Sequence, residues 1–268
     1  MNPSQDVRQR YWDEHYLKYW QQRVAEANEV TDSKSRMNQK DSPTISDRTY
    51  FEAIERLKIG PDDTVLELGC GFGRSLLFLS HQARKVWGLD ISPAMVEAAR
   101  EHCAGLENVL LEVGIGEKMP FPSGIFDAIV CFGVFDAMYQ AETILEMCRV
   151  ATPGCRILLT GKNVDYWDDD EEALIAEERA RQKGHPNYFT NVDDLLAQVG
   201  QIGLMIQHQR FYLRRGDFHA GNFVESMPSR FYEYMLIFEK CGASVGKLSC
   251  QISQSFSRTW LRRREAKG

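Results

Sequence analysis

The sequence predicts an α/β protein built on a doubly wound, mostly parallel sheet, and three features of one stretch carry that prediction. Residues Thr64–Leu68 form a short apolar run that begins with a β-branched residue, as expected of a buried parallel strand. Gly69, Gly71 and Gly73 follow at alternate positions and permit a tight turn. Ser75 then opens an apolar segment typical of a helix. Strand, glycine turn and helix in this order form the nucleotide-binding corner of doubly wound folds.

Two acidic residues indicate which nucleotide this corner binds. Dinucleotide-binding proteins space their glycines as G-x-G-x-x-G and rest the pyrophosphate on the following helix. Here the spacing is G-x-G-x-G, and Glu67 stands just before the first glycine, where a carboxylate repels a pyrophosphate and attracts a cationic ligand. Asp90 ends the next apolar run, about 20 residues on, where it can accept hydrogen bonds from both ribose hydroxyls. Together they favour a cationic nucleoside, such as one that carries an ammonium and a sulfonium, over a phosphate-rich one.

Composition narrows the class of protein. The chain has 268 residues, 43% hydrophobic and 26% charged, which suits a soluble protein of one large domain or of one domain with an elaborated cap. Its formal net charge of −6 disfavours a nucleic-acid partner. No apolar run reaches the ~18 residues of a membrane span, and no signal-peptide pattern opens the chain. The seven cysteines are scattered without a C-x-x-C pair, so we expect a cytoplasmic protein with neither disulfides nor a metal site.

These motifs resemble those of the class I S-adenosylmethionine-dependent methyltransferases. The first motif of that family is an acidic residue followed by G-x-G-x-G, with a second acid ending the next strand, as at Glu67 and Asp90. Three further stretches match family patterns, namely 90–100, 119–127 and 146–155. The resemblance is specific over residues 48–162. It implies S-adenosyl-L-methionine as the cofactor and a Rossmann-like, seven-stranded sheet with helices on both faces.

The resemblance also implies which residues bind the cofactor. The family usually carries an aspartate after its third strand for the adenine amino group, but this chain has Ile115 and Gly116 there. Their backbone amides, or the Glu117 side chain, would then read the base. The implied cofactor-binding residues are Glu67, Gly69, Gly71, Gly73, Asp90, Ile91, Met95, Ile115, Gly116, Glu117, Cys131, Phe132 and Tyr16.

Residues 1–47 are predicted to form an N-terminal helical lid with a hinge. Aromatic residues at 12, 16, 19 and 20 have helical spacing. Small-molecule members of the family often open with W-D-x-x-A-x-x-Y, which folds across the site; Trp12, Asp13 and Tyr16 match, whereas His15 replaces the small residue. A helix packed on the domain surface explains the same spacing, and the two interpretations are compatible. Residues 31–47 have the polar composition of a hinge.

Candidate catalytic and substrate residues lie beyond the fourth predicted strand. Asp136 is either a general base, a substrate anchor or the cap of a helix over 137–150. His185 lies in a stretch that resembles the family's segment before its last helix and is a candidate base. Tyr139, Tyr166 and His219 are predicted substrate contacts. The Asn/Asp-Pro-Pro-Tyr motif of enzymes that methylate base amines is absent after the fourth strand.

The function predicted from these observations is methyl transfer to oxygen or nitrogen of a small polar metabolite or natural product. Orientation of the reactants alone can supply ~7–11 kcal/mol, so the lack of a catalytic dyad does not argue against an enzyme. The alternatives are a non-catalytic protein that binds the same nucleoside, an RNA or protein methyltransferase, and a dinucleotide oxidoreductase. We expect a methyltransferase domain over 48–241, with a substrate-specific insert at about 161–190, and a C-terminal tail over 242–268.

Overall fold

A single large sheet organises the molecule. The computed structural model describes residues 5–16, 45–185, 187–242, 247–248 and 250–268. The strands of this sheet are β1 Thr64–Leu68, β2 Lys85–Asp90, β3 Val109–Val113, β4 Phe126–Cys131, β5 Ala151–Lys162, β7 Leu204–Tyr212 and β8 Glu233–Lys240. They are ordered β3-β2-β1-β4-β5-β8-β7, and β8 runs antiparallel to both of its neighbours. Two short strands, β6 Phe189–Thr190 and β9 Ser253–Gln254, pair separately. The predicted seven-stranded, mostly parallel sheet is confirmed.

Helices cover both faces of the sheet. They are α1 Gln5–Tyr11 with a π-helical turn Trp12–Tyr16, α2 Ile45–Glu55, α3 Arg74–Ser80, α4 Pro93–His102, α5 Gln140–Val150, α6 Glu171–Gln182, α7 Val192–Gln198, α8 Asp217–Ala220 and α9 Arg258–Glu265. One core joins Ile129 and Leu159 to α5 and α7. The other joins Val130 and Leu158 to α2 and α3 on the opposite face, as alternation along a strand requires.

Local sequence explains how the helices near the site begin. The hydroxyl of Ser92 accepts a hydrogen bond from the backbone N–H of Met95 at 3.1 Å, and Pro93 occupies the first turn of α4. Gly73 adopts a left-handed conformation with φ 86° and starts α3. These two helix starts follow β1 and β2 directly, and they fix the turns that end both strands.

The helix after β4 differs from the prediction. It begins at Gln140 with Tyr139 as its N-cap, and not at Ala137, because residues 135–137 form a separate 3₁₀ turn. Asp136 lies in that turn and caps no helix. Its carboxylate instead accepts a hydrogen bond from the backbone N–H of Lys162 at 3.0 Å.

The loop between β5 and α6 contacts the C-terminal helix. Asp170 caps α6 through a hydrogen bond from the backbone N–H of Ala173. Arg262 of α9 pairs with Asp165 at 2.9 Å and with Asp168 at 3.3 Å. The C-terminal helix is therefore tied to the loop that follows β5.

Every helix within the described residues falls short of the length and apolarity that a bilayer crossing needs. The same residues contain no group of three or more His, Cys, Asp or Glu placed to hold a metal ion.

Candidate functional site

A cavity of about 230 Å³ opens at the carboxyl ends of β1, β2 and β4. Here the connections that leave the neighbouring strands β1 and β4 run in opposite directions along the sheet, and ligands bind at such a point in doubly wound folds. The cavity is lined by Arg8, Trp12, Leu68, Gly69, Gly71, Leu89, Asp90, Ile91, Met95, Gly114, Ile115, Gly116, Glu117, Gly133, Val134, Ala137, Met138 and His185.

The glycine turn forms the floor of the cavity. Gly69 has φ 72°, and a Cβ there would lie 2.7 Å from a methyl carbon of Val134. Its backbone N–H donates to the carbonyl of Leu89 at 2.7 Å, which joins the ends of β1 and β2. Both the conformation and the close contact exclude a side chain at this position. The backbone can therefore approach a ligand closely here.

Asp90 lies beside this turn and holds it in place. Its two carboxylate oxygens accept hydrogen bonds from the backbone N–H groups of Gly71 and Ser92, each at 2.9 Å. Burial raises the pKa of Asp90, and the hydrogen bonds from these amides oppose the rise. Each carboxylate oxygen has more than one lone pair, so the group can also accept the hydroxyls of a ribose.

Glu67 lies behind the glycine turn and does not line the cavity. One of its oxygens, Oε1, accepts hydrogen bonds from the Tyr50 hydroxyl at 3.0 Å and from the Ser75 hydroxyl. The other, Oε2, is buried without a partner among the described residues. Burial raises the pKa of Glu67 to about 7. The predicted cofactor residue Glu67 therefore makes no direct contact with the cavity and can act on a ligand only through its charge.

Glu117 supplies the polar group at the far end of the cavity. Its Oε1 pairs with the Arg8 guanidinium at 2.6 Å and accepts the backbone N–H of Tyr139 at 2.7 Å. The Arg8 and Glu117 side chains are only 3% and 8% exposed. Oε2 of Glu117 is buried with no partner in the described part of the chain. An unpaired acceptor that lines the cavity beside Ile115 and Gly116 fits the amino group of an adenine.

The N-terminal segment and the loop after α6 form the roof. Trp12 and His185 both line the cavity, and their rings meet edge to face with centroids 5.0 Å apart. Asp13 also accepts a hydrogen bond from the hydroxyl of Ser92, at the start of α4. The Tyr16 side chain and residues 31–44 of the predicted hinge over 31–47 lie outside the described residues. Residues 45–47 belong to helix α2 and not to a hinge. The roof is thus fastened to the turns after both β2 and β3.

Most of the sequence-predicted cofactor residues meet at this cavity. Those that line it are Gly69, Gly71, Asp90, Ile91, Met95, Ile115, Gly116 and Glu117. Gly73 instead packs against α4, where its missing Cβ would lie 3.1 Å from the sulfur of Cys103. Cys131 is fully buried in the core, and Phe132 packs on Tyr50 with ring centroids 3.8 Å apart.

The predicted catalytic and substrate residues are dispersed. Among them, only His185 lines the cavity. The Asp136 carboxylate is held in an ion pair with Nζ of Lys162 at 3.0 Å, and the Tyr139 ring packs against the Arg8 guanidinium. Tyr166 is a core residue whose hydroxyl donates to Glu177 at 2.7 Å. His219 is exposed on α8, away from the cavity.

Sequence reasoning missed Arg8, Val134 and Met138. The two apolar residues follow β4 in a stretch that carries no motif, and Arg8 is a lone cation in a polar segment. Nothing in the sequence distinguishes Arg8 from Arg10 two residues later, yet Arg10 is exposed and Arg8 is buried. Only the position of Glu117 in space gives Arg8 its role.

Comparison with known proteins identifies a methyltransferase domain in the part of the chain that forms most of this cavity. Residues 65–154 match the methyltransferase domain family. A demethylmenaquinone methyltransferase of Tropheryma whipplei (strain Twist) is 31% identical over 108 residues, which are 40% of this chain and 45% of the relative. The 18S rRNA (guanine(1575)-N(7))-methyltransferase of Saccharomyces cerevisiae is 34% identical over 102 residues, 37% of this chain and 36% of the relative. The chain therefore spans less than half the length of these relatives.

A solved structure with the same fold is that of the YcgJ protein of Bacillus subtilis. It superimposes with a TM-score of 0.55 at 18% identity, over 74% of this chain and 99% of the other. At that identity the likeness concerns the fold. The matched domain contains β1 to the start of β5, including the glycine turn and Asp90, and so coincides with the stretch that carried the sequence resemblance. The resemblance to the class I S-adenosylmethionine-dependent methyltransferases is confirmed for the methyltransferase domain over residues 65–154.

Proposed function

We propose that this protein transfers the methyl group of S-adenosylmethionine to oxygen or nitrogen of a small polar metabolite. The observation that carries the proposal is the roofed cavity, with Asp90 and the glycine turn on its floor and Trp12 and His185 above. A roofed site suits a small acceptor better than a polymer, which has to lie across an open face. The cofactor supplies an electrophilic methyl on a sulfonium, and the chain's residues bind, orient and exclude water.

The direct test uses S-adenosylmethionine labelled in its methyl group, incubated with the purified protein and a low-molecular-weight cell extract. We expect label in at least one small, polar product, and none when Asp90→Ala replaces the wild-type protein. A protein that binds the cofactor tightly but labels nothing in small-molecule, protein or RNA fractions is a nucleoside-binding regulator, which is the non-catalytic alternative.

An RNA acceptor is the second candidate, because α9 offers a basic surface. Four basic side chains in and just after this helix form no ion pair within the described residues: Arg258, Arg263, Arg264 and Lys267. All but Arg263 are exposed. One of the relatives above is an rRNA methyltransferase. Binding of total RNA that weakens steeply with salt, together with label in RNA, favours this candidate over the first.

We also propose that the protein is cytoplasmic. We propose that it is divided into a lid, a methyltransferase domain and a C-terminal tail at the boundaries given above. The described cysteines Cys70, Cys103, Cys131, Cys148, Cys155 and Cys241 are free thiols, which supports a reducing compartment.

The Arg8–Glu117 pair allows a test of the lid. Replacing Arg8 with Met removes the cation and leaves the buried Glu117 carboxylate uncompensated, which costs about 3–5 kcal/mol when nothing rearranges. Because the roof can open, we expect release of α1 and a drop of roughly tenfold in affinity for S-adenosylmethionine. Amide exchange over residues 5–16 and calorimetry measure the two effects. Arg10→Met on the exposed side of α1 is the matched control. Equal behaviour of the two variants contradicts the lid.

The raised pKa of Glu67, about 7, predicts a pH dependence of cofactor binding. A cationic ligand favours the ionised carboxylate, so binding releases a proton and affinity rises as pH increases through about 7. Folding follows the opposite sign: the folded state retains a proton that the unfolded chain releases near pH 4.5, so stability falls as pH rises from there to about 7. Calorimetry at pH 5.5–8 in two buffers measures the proton release. We expect Glu67→Gln to abolish this proton release. If the wild-type affinity does not change with pH, the charge of Glu67 does not contribute to binding of the ligand.

A further inference from the structure

We propose that Glu233 is the general base of the reaction, at an acceptor site where β5 ends and β8 begins, and that the acceptor atom is a proton-bearing oxygen or nitrogen. This rests on the methyl transfer proposed above and names a catalytic residue for it. Sequence reasoning singled out neither Glu233 nor Lys162, which faces it.

The sheet brings the end of β5 and the start of β8 together. Lys162, the last residue of β5, pairs directly with Glu233, the first residue of β8, in the antiparallel register. Tyr212, the last residue of β7, pairs with Glu233 from the other side. Directly opposed residues of an antiparallel pair point to the same face, so the three side chains form one row. This row lies at the edge of the sheet that also carries the cavity.

The row is connected to the cavity wall. Lys162 holds Asp136 through its backbone N–H at 3.0 Å and through Nζ at 3.0 Å. Asp136 immediately precedes Ala137, which lines the cavity. Gly133, which lines the cavity, donates its backbone N–H to the Thr160 hydroxyl at 2.8 Å. Lys162 lies two residues further along β5, directly opposite Glu233, so the row continues the cavity wall along the end of β5.

Glu233 has the properties that Asp136 lacks. The Asp136 carboxylate is paired with Lys162. By contrast, no described residue donates a hydrogen bond to the Glu233 carboxylate or lies within ion-pair distance of it. Glu233 is half-buried, so its side chain keeps some exposure at the end of the strand. Burial raises its pKa to about 7, in the range suited to a base at neutral pH.

Charged and titratable groups reach Glu233 from each neighbouring element. Lys162 and Arg215 lower its pKa, while Asp136 and Asp170 raise it. Tyr212 and Tyr232 are the phenols whose own titration it affects. The two cations keep a large fraction of Glu233 ionised near pH 7, and the acids keep the carboxylate basic.

The proposed reaction is a displacement at the methyl carbon of S-adenosylmethionine. A lone pair of the acceptor oxygen or nitrogen forms the new bond to the methyl carbon, and the bond between that carbon and sulfur breaks. Its electron pair stays on sulfur, which leaves as a neutral thioether. The proton of the acceptor goes to Glu233 and from there to solvent. A base of this kind contributes about 10²–10⁴-fold to the rate.

The first experiment measures label transfer to the low-molecular-weight extract between pH 5.5 and 8.5. We expect the wild-type rate to rise with an apparent pKa of about 7, set by Glu233. Glu233→Gln is expected to lower the rate by at least about 100-fold and remove that rise, while the dissociation constant of S-adenosylmethionine stays unchanged. Glu233→Asp should retain the rise at a reduced rate. Lys162→Met removes a cation that lowers the pKa of Glu233, so the rise should move to higher pH.

A second readout does not depend on the acceptor. Because folded Glu233 keeps its proton up to about pH 7, wild-type stability falls between pH 4.5 and 7, and Glu233→Gln should lose that part of the fall. Glu239→Gln at the far end of β8, where Glu239 accepts a hydrogen bond from Gln207, is the matched control.

The outcomes separate the two proposals. If the wild-type protein labels no product at any pH, methyl transfer to a small acceptor is contradicted, and the base assignment falls with it. If the wild type labels a product and Glu233→Gln does so with the same rate and pH profile, the base assignment alone is wrong. Loss of the rise in Glu233→Gln but not in Glu239→Gln supports it.

Discussion

Gly69→Ala is expected to abolish cofactor binding and to lower the free energy of unfolding by roughly 2–4 kcal/mol. The left-handed φ of 72° costs a residue with a Cβ about 1–2 kcal/mol. The new methyl also meets three carbons of Val134 at 2.7–2.9 Å, and overpacking of this kind costs about 1–3 kcal/mol. Relief requires Val134 or the glycine turn to move, and both line the cavity. Denaturant unfolding and calorimetry with S-adenosylmethionine measure the two losses.

Gly124 provides the control for Gly69. Its φ is 70°, nearly the same, but a Cβ there meets nothing within 4 Å. Gly124→Ala should therefore show only the backbone cost of about 1–2 kcal/mol and leave cofactor affinity unchanged. If the two variants lose the same stability and both bind the cofactor, the contact between Gly69 and Val134 does not shape the site.

Asp90→Ala is expected to weaken S-adenosylmethionine binding by about 10–100-fold. A hydrogen bond to a charged group contributes about 1.5–3 kcal/mol, and each 1.4 kcal/mol is a factor of ten in affinity. Part of the loss is indirect, because the Gly71 and Ser92 amides lose their common acceptor. Asp90→Asn retains an oxygen for one of them, so it should bind better than Asp90→Ala and worse than the wild type.

Asp62→Ala serves as the control for Asp90. Asp62 is an exposed carboxylate just before β1, at the opposite edge of the sheet. The substitution should change neither affinity nor the enthalpy of binding. Unchanged affinity in Asp90→Ala contradicts the placement of the ribose, and loss of fold in Asp90→Asn contradicts the assignment of a binding role separate from stability.

The sequence predicted the cofactor side of the protein well, because short-range chemistry determines it. A strand, a turn that only glycine can form and a capped helix each follow from neighbouring residues, and Ser92 capping α4 is an example. Asp90 could be placed because parallel strands end at one edge of the sheet. The fold and the family followed from these elements and are confirmed.

The contacts of the predicted catalytic and substrate residues could not be predicted in the same way, because their partners lie far away in the chain. Asp136 looked like a helix cap from its neighbours, yet its carboxylate is bound by Lys162, 26 residues later. Tyr166 sits in the predicted insert but is buried against Glu177 and Ser257. Arg8 acquires its role from Glu117, 109 residues away. Long-range pairings of this kind leave no periodicity in the sequence.

The central claim is that the cavity accepts a cationic nucleoside and rejects a pyrophosphate, and one calorimetric experiment tests it. The wild-type protein is titrated with S-adenosylmethionine and, separately, with a nicotinamide dinucleotide under the same conditions. We predict saturable, one-to-one binding of S-adenosylmethionine that Asp90→Ala weakens at least about tenfold, and no heat of binding for the dinucleotide. Saturable binding of the dinucleotide, or no binding of S-adenosylmethionine, contradicts the account.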